Sequence, residues 1–346
     1  MAEELTDPAE GFAPLRIRRV VRETADAVSL VLDVPECCSH RFQYKAGQFL
    51  TLRVSVGGRD LRRCYSMSSA PVEDELRITV KRDPGGVVSN WINDTAAAGD
   101  ELHAAPPEGR FTLTESDSSP RELVAFAGGS GITPIMSLVR AALAGSDRTV
   151  KLFYANRGRD SVIFSEPLAR LAEQHADRLT VEHHYDEDAG VVTASAVESF
   201  AARVGDADFY VCGPTPFMDT VETALLGAGV PKQRLHLERF TVAAAPDTVT
   251  DGDAQACEEV VIELQRQKVT AAYRQGDTLL QTARLQGLKA PSSCETGSCG
   301  TCMARIVEGS ARMLNNDALE PDEVEEGWVV TCQALPTSSK VHMIYE

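Results

Sequence analysis

The chain has 346 residues, of which 43% are hydrophobic and 25% charged, and its formal net charge at pH 7 is −17. This length allows two or three domains, and so acidic a chain repels nucleic acid and anionic membrane surfaces. Because no apolar run approaches about 18 residues and the start lacks the basic and apolar regions of a signal peptide, we expect a cytoplasmic protein without a membrane span.

The first third of the sequence has the pattern of antiparallel strands. Apolar and polar residues alternate over Pro14 to Val21, Ala27 to Val34, Phe49 to Val56 and Leu76 to Arg82. Two strings there carry chemistry: R-R-C-Y-S-M-S-S at residues 62–69 and G-G-V-V-S at residues 85–89. The first offers a phosphate clamp, an aromatic face and a hydroxyl; the second could begin a helix whose amides bind a pyrophosphate. Alone, each also fits a chance match or a hairpin turn.

From about Arg121, apolar strands alternate with helices, which predicts a parallel sheet covered on both faces. The predicted strands are Leu123 to Ala127, Val150 to Ala155, Leu179 to His184 and Phe209 to Cys212, with helices from Pro134 and after Phe164. The strings G-G-S-G-I-T-P at residues 128–134 and C-G-P at residues 212–214 follow two of these strands. Both therefore lie at carboxyl ends of strands, where open α/β sheets bind ligands.

Four cysteines near the end of the chain have the spacing C-x4-C-x2-C followed by one distant Cys, the ligand spacing of a plant-type [2Fe-2S] centre. They are Cys294, Cys299, Cys302 and Cys332. Structural zinc sites favour two C-x2-C pairs, so zinc is the weaker alternative, and disulfide scaffolds belong to small secreted domains. The glycines between the cysteines suit a loop that directs backbone N–H groups at sulfurs.

In this order, these motifs resemble the ferredoxin-NADP reductase superfamily with a C-terminal plant-type ferredoxin, over nearly all of residues 14–346. Strings such as R-C-Y-S-M-S-S-A-P, T-V-K-R and L-E-R-F are similar to the reductase component of 3-ketosteroid 9α-hydroxylase and, less closely, to phenylacetyl-CoA epoxidase reductase. The resemblance implies four parts. They are an antiparallel β-barrel FAD domain (12–117), a doubly wound α/β NAD(P) domain (118–240), a linker (241–256) and an α+β (β-grasp) [2Fe-2S] ferredoxin domain (257–346).

The resemblance also implies roles for individual residues. Ser66, Cys212 and Phe240 would be catalytic, with Ser66 near the flavin N5, Cys212 near the nicotinamide and Phe240 closing the flavin face; an ordinary core Phe is the alternative for Phe240. Cys294 and Cys299 would bind one iron, and Cys302 and Cys332 the other. The implied cofactor-binding residues are Arg63, Cys64, Tyr65, Ser66, Val80, Lys81, Gly86, Val87, Val88, Ser89, Gly128, Gly129, Gly131, Thr133, Pro134, Asn156, Arg157, Cys212, Gly213, Pro214 and Phe240.

A nicotinamide donates two electrons as hydride and a [2Fe-2S] cluster accepts one, and flavin links the two. The resemblance thus implies a monomeric NAD(P)H-dependent reductase that feeds a terminal oxygenase in steroid or aromatic catabolism. We expect a Rieske-type partner such as 3-ketosteroid 9α-hydroxylase. Alternatives are a di-iron monooxygenase of the phenylacetyl-CoA epoxidase type as partner, and a redox-sensing binding protein that holds flavin and cluster.

Three further features bear on specificity. Arg157 or Arg159 could hold the 2′-phosphate of NADPH while Asp160 would oppose it; the resemblance favours NADH, and FAD over FMN. Glu295 stands where plant-type ferredoxins often have Arg, and we expect its charge to lower the cluster potential or alter docking. Residues 315–326 hold six acids and no base, which indicates a solvated loop or a docking surface for a basic oxygenase.

Overall fold

The structure, a computed structural model, describes residues 11–73, 75–114, 121–240, 257–316 and 318–346. The chain divides into two compact units, residues 1–240 and 241–346. The predicted linker, 241–256, and the predicted boundary between residues 117 and 118 lie outside the described residues. The domain limits therefore stay predictions.

The first unit begins with an antiparallel sheet. Its strands are β1 (Ala13–Thr24), β2 (Ala27–Asp33), β3 (Phe49–Val56), β4 (Arg59–Ser66), β5 (Leu76–Lys81) and β6 (Glu101–Ala104), with helix α1 (Val87–Thr95) between the last two. They lie in the order β4-β3-β6-β1-β2-β5, and an isolated bridge between Met67 and Ile78 joins the end of β4 to β5. Because β4 and β5 are the outer strands of the order, this bridge curls the sheet towards the predicted barrel.

Strand β4 was not predicted, because three arginines interrupt its apolar alternation. It forms by pairing with β3 along its whole length, from Phe49 opposite Ser66 to Val56 opposite Arg59. The two residues between the strands, Gly57 and Gly58, both have positive φ, at 59° and 74°. Such a two-glycine turn matches the twist of a tight hairpin, so the turn fixes the register of the strand that carries R-x-Y-S.

The second part of the first unit is a parallel sheet with helices on both faces. Its strands are β7 (Glu122–Gly128), β8 (Val150–Asn156), β9 (Leu179–Tyr185), β10 (Ala207–Gly213) and β11 (Leu235–Arg239), and its helices are α2 (Ile132–Gly145), α3 (Ser165–Gln174), α4 (Asp186–Ala189), α5 (Ala194–Ala201) and α6 (Thr215–Gly227). The strand order is β11-β10-β7-β8-β9. One apolar core packs under α2 and α3, and another under α5 and α6. This is the predicted doubly wound domain, and its order reverses between β7 and β10.

The antiparallel and parallel parts of this unit are joined through α2. The Oγ atom of Ser137, which is fully buried, donates a hydrogen bond to the Ser69 carbonyl at 2.5 Å and accepts one from the Gly47 amide at 3.3 Å. One turn further along α2, Arg140 Nη1 donates to both carboxylate oxygens of Glu73 at 3.0 and 3.1 Å. The two parts are thus held at a fixed angle by polar contacts as well as by packing.

The second unit is a mixed sheet with one packed helix. Its elements are β12 (Glu259–Leu264), β13 (Gln267–Ala272), α7 (Leu279–Leu285), β14 (Met303–Glu308), β15 (Ala311–Met313), α8 (Pro321–Glu325), β16 (Trp328–Val330), β17 (Ala334–Pro336) and β18 (Lys340–Ile344). The main sheet has the order β13-β12-β18-β14-β16, and β12 runs parallel to β18. This confirms the predicted α+β fold. Across the described residues, no helix is long and apolar enough to cross a membrane.

Candidate active site and iron-sulfur centre

The glycine-rich loop after β7 lies against the loop after β10. A Cβ built on Gly131 would lie 2.0 Å from the Cys212 carbonyl oxygen, and one on Gly213 would lie 3.0 Å from the Gly128 Cα. No real side chain tolerates such distances, so the glycines are required for the two loops to approach each other. The predicted strings G-G-S-G-I-T-P and C-G-P therefore meet at the switch point of the sheet, where a dinucleotide fits.

Helix α2 begins directly behind the glycine loop. Thr133 Oγ1 donates to the Ser130 carbonyl at 3.0 Å, and Pro134 lies in the first turn, where its missing N–H leaves no bond unmade. A Cβ on Gly129 would lie 3.8 Å from Nζ of Lys81, which ends β5 of the antiparallel sheet. A cation from the antiparallel part thus stands beside the loop at which a nucleotide phosphate is expected.

Cys212 is a fully buried thiol in a strongly apolar position. Burial, and then the nearby Glu238 carboxylate, hold its pKa well above the usual range, so the thiol is neutral at physiological pH. Glu238 lies on β11 directly opposite Cys212 in the parallel register. The sequence prediction missed Glu238; the string L-E-R-F contains it, but only the register shows its neighbour. Phe240, predicted to cover the flavin, follows β11 and is 42% exposed.

The predicted flavin residues fall on β4 and around the start of α1. Arg63 and Tyr65 are two apart on a strand and so share one face, while Ser66 is buried. Burial raises the pKa of Tyr65, and Asp83, close by in the loop before α1, contributes to that rise. Ser89 Oγ accepts a hydrogen bond from the Asp83 amide at 3.1 Å. The R-x-Y-S strand and the G-G-V-V-S loop are therefore neighbours.

The loop before α1 has the features of a phosphate cradle. Its N-cap residue is Gly86, where a Cβ would lie 2.5 Å from Ser89 Oγ, so a glycine keeps the loop close to the helix. The amides of Val87 and Val88 belong to the first turn, which has no intrahelical acceptor for them. A pyrophosphate fits such amides together with an arginine, and the residues present therefore suit the FAD predicted there. Val80 and Cys64 lie on the neighbouring strands β5 and β4.

At the far side of the glycine loop, where β8 and β9 end, Arg159 is held by carboxylates. Its Nη1 donates to Glu187 Oε1 at 3.0 Å and its Nη2 to Asp188 Oδ2 at 2.8 Å, while its backbone amide donates to Glu187 Oε1 at 3.2 Å. Its guanidinium stacks 4.4 Å from the centre of the Tyr185 ring. Both carboxylates raise the pKa of Arg159, Asp188 the more strongly. Of the predicted residues nearby, Asn156 is buried and Arg157 exposed.

The four predicted iron ligands come together in the second unit. A hydrogen bond with Cys332 lowers the pKa of Cys302, and that bond, burial and the charges of the other cysteines raise the pKa of Cys332. Three of the thiols are buried and one is half-buried: Cys294, Cys302 and Cys332 are 1, 2 and 6% exposed, and Cys299 is intermediate. Long-range packing has thus placed Cys332 against the three cysteines of the loop.

The loop around the cysteines is shaped for an anionic group. The Thr296 amide donates to Cys294 Sγ and the Thr301 amide to Cys299 Sγ, each at 3.4 Å. Left-handed φ values at Glu295 (58°), Gly297 (88°) and Gly300 (74°) turn the chain round the site. Within the described ranges, no three His, Cys, Asp or Glu side chains are placed to hold a single metal ion. That suits a two-iron cluster, in which each iron takes two thiolates, better than a tetrahedral zinc site.

Three family models match the chain in the order of these sites. They are the oxidoreductase FAD-binding domain (residues 14–113), the oxidoreductase NAD-binding domain (126–223) and the 2Fe-2S iron-sulfur cluster binding domain (262–337). Together with the geometry, they define an FAD-dependent oxidoreductase that takes electrons from NAD(P)H and holds a [2Fe-2S] cluster. The zinc alternative is thereby overturned.

Two relatives and one solved structure extend these matches over the whole length. The ferredoxin reductase component of 3-ketosteroid-9-alpha-monooxygenase from Rhodococcus rhodochrous is 39% identical over 94% of each chain, and a 1,2-phenylacetyl-CoA epoxidase component from Escherichia coli K12 is 31% identical over 95% of this chain and 96% of that one. Phthalate dioxygenase reductase shares the fold, with a TM-score of 0.65 at 24% identity over 97% of this chain and 98% of that one. The chain belongs to the family of FAD- and [2Fe-2S]-containing reductase components of oxygenase systems.

Proposed function

We propose that this chain oxidises NADH and delivers the two electrons singly to a Rieske-type terminal oxygenase that hydroxylates a 3-ketosteroid. The observation that carries the proposal is the similarity to relatives named as reductase components of 3-ketosteroid-9-alpha-monooxygenase from Rhodococcus rhodochrous, Mycolicibacterium smegmatis and Mycobacterium tuberculosis, at 39 to 40% identity. The epoxidase component is less similar, at 31%. We further propose that the chain acts as a cytoplasmic monomer, because cytosolic thiols stay reduced and available to iron.

When bound, FAD takes up a hydride and gives up electrons one at a time. The residues of this chain would orient it. Arg63 and the amides of Gly86 to Ser89 would hold its pyrophosphate, Tyr65 would pack against the ring system, and the Ser66 hydroxyl would hydrogen-bond near N5. Cys64, Val80 and Lys81 would complete the cradle from the neighbouring strands.

The dinucleotide would lie along the contact between the two glycine loops. Gly128, Gly129 and Gly131 leave room for a pyrophosphate beside α2, with Thr133, Pro134 and Lys81 around it. Cys212, Gly213 and Pro214 would present the nicotinamide. Because the Cys212 thiol is neutral, it places an uncharged, apolar group where a charge would compete with hydride transfer. Phe240, partly exposed at the end of β11, would cover the flavin face and exclude water until the nicotinamide enters.

The carboxyl ends of β8 and β9 support the preference for NADH. The adenosine ribose is expected there, one strand beyond the glycine loop, beside Asn156 and Arg157. Four carboxylates surround the two arginines at this edge: Asp160, Asp186, Glu187 and Asp188. Since Glu187 and Asp188 already neutralise Arg159, a 2′-phosphate would meet net negative charge, whereas a 2′-hydroxyl would not.

Steady-state kinetics of the FAD- and cluster-containing protein test the proposal. We expect NADH to reduce ferricyanide with a higher kcat/KM than NADPH, and to support product formation when a 3-ketosteroid oxygenase is added. Product formation with a di-iron epoxidase component instead would reassign the partner. A fully loaded protein that oxidised neither NADH nor NADPH would refute the reductase function, and light scattering of the same protein tests the monomer.

A further inference from the structure

Arg284 binds the cluster loop at its first ligand. It is the penultimate residue of α7, and its Nη2 donates to Glu295 Oε1 and to Ser292 Oγ, both at 2.7 Å. Glu295 directly follows Cys294, and Ser292 precedes that cysteine by two residues. One guanidinium nitrogen therefore spans the ligand, contacting the chain on both sides of it.

Glu295 is also fixed through its backbone. Its φ of 58° is left-handed, which is uncommon for a residue with a Cβ and requires support from its surroundings. Its carbonyl accepts a hydrogen bond from Gln333 Nε2 at 2.8 Å, and Gln333 follows the distant ligand Cys332. The side chain of Glu295 is thus tied to α7 and its backbone to the segment of the last ligand.

Helix α7 provides a rigid base for Arg284. Thr278 and Gln281 form a capping box at its start, with hydrogen bonds of 2.7 and 3.2 Å. Leu279, Leu280 and Ala283 are at most 1% exposed in the core of the unit. Because the helix cannot shift easily, the position of the guanidinium is determined by packing rather than by the ion pair itself.

The charge of Arg284 also acts on groups behind the ligands. It lowers the pKa of Tyr345, against the larger raising effect of burial. The Tyr345 hydroxyl donates to Thr331 Oγ1 at 3.0 Å, and Thr331 Oγ1 donates to the Cys302 carbonyl at 2.8 Å. A positive charge here opposes the negative charge that Glu295 adds beside an anionic cluster, and such charges tune reduction potentials.

We propose that Arg284 is a positioning residue for the iron-sulfur centre: it offsets the Glu295 carboxylate and holds the loop in its ligating shape, and so sets the cluster's reduction potential. The expectation that Glu295 lowers the potential then applies only when Arg284 is removed. This role concerns the cluster itself and does not depend on which oxygenase accepts the electrons.

The test is a redox titration of the full-length holoprotein, with the reduced cluster followed by electron paramagnetic resonance. We expect R284Q to shift the cluster potential downwards, E295Q to shift it upwards, and R284Q/E295Q to return close to wild type. The control is K340Q, which removes the cation of the exposed Lys340–Glu259 pair on β18 and β12 and should leave the potential unchanged. Iron and sulfide per chain are measured for every variant.

The proposal is overturned if R284Q has the wild-type potential at full iron content, or if R284Q shifts the potential equally with and without Glu295. Should R284Q bind little iron, R284K decides, because lysine keeps the charge. Restored iron content with a wild-type potential in R284K supports the role, and a shifted potential or a lost cluster in R284K rejects it. NADH oxidation with ferricyanide bypasses the cluster, so failure here leaves the proposed reductase function testable on its own.

Discussion

Replacing Gly131 by Ala should damage the nicotinamide site without damaging the fold. The backbone at Gly131 has φ −60° and ψ −12°, which any L-residue adopts, so the substitution adds no backbone strain. The difficulty is space: the new Cβ would lie 2.0 Å from the Cys212 carbonyl oxygen and 2.7 Å from the Gly213 amide. Since real Cβ contacts stay above 3.0 Å, the two loops must separate by about 1 Å.

A displacement of that size has a predictable kinetic cost. Moving reacting groups by about 1 Å reduces catalysis about 100-fold, equivalent to about 2.7 kcal/mol of transition-state stabilisation. We therefore expect G131A to retain FAD and cluster while kcat/KM for NADH falls about 100-fold. Stopped-flow reduction of the flavin by NADH measures the step directly, and the FAD content of the same samples shows that the flavin site is intact.

The matched control is G145A at the other end of α2. A Cβ at Gly145 would have no described atom within 4 Å, and alanine in a helix is favoured over glycine by about 0.5–1 kcal/mol. G145A should show wild-type kinetics and a slightly higher Tm. A folded G131A protein that reduces its flavin at the wild-type rate would refute the steric reasoning.

Three further predictions concern other parts of the first unit. E187Q/D188N leaves Arg159 without its carboxylates, so we expect the ratio of kcat/KM for NADPH to that for NADH to rise roughly tenfold, the scale of one charge-assisted hydrogen bond; an unchanged ratio in steady-state assays would contradict the proposed basis of NADH preference. S137A removes the buried hydroxyl between Ser69 and Gly47 and should cost about 1–3 kcal/mol, seen as a lower midpoint in urea unfolding, whereas an equal midpoint would show that packing alone joins the two parts. His236 stacks on Tyr210 at 4.6 Å with a buried Nε2 that has no hydrogen-bond partner among the described residues, and burial lowers its pKa although Asp208 acts to raise it. The unfolded chain therefore binds the proton more readily, so this residue's contribution is complete above pH about 6.5 and is lost as the pH falls below it. H236F keeps the stacking and should lose less stability than wild type on acidification through that range; equal losses in urea unfolding would reject the assignment.

Local sequence was sufficient to predict most elements and all four iron ligands. The strand over Phe49–Val56 has the predicted limits, and the neighbouring strands differ by a few residues, because burial on one face imposes a two-residue period that is visible in the sequence. The cysteine spacing is equally local, since three of the four ligands lie within nine residues of one another. Strand β4 escaped prediction because its arginines hide that period, and its structure comes from pairing with β3.

Tertiary structure decided which residues become neighbours. Glu238 reaches Cys212 only through the parallel register of β11 on β10, and Arg159 is neutralised only because β9 delivers Glu187 and Asp188 to the end of β8. Arg284 lies eleven residues before Glu295, a spacing without meaning until α7 packs on the sheet. The sequence alone therefore determined the cofactors and the order of the domains, because these depend on short motifs. The charges that tune each site depend on contacts between distant segments, and only folding brings those together.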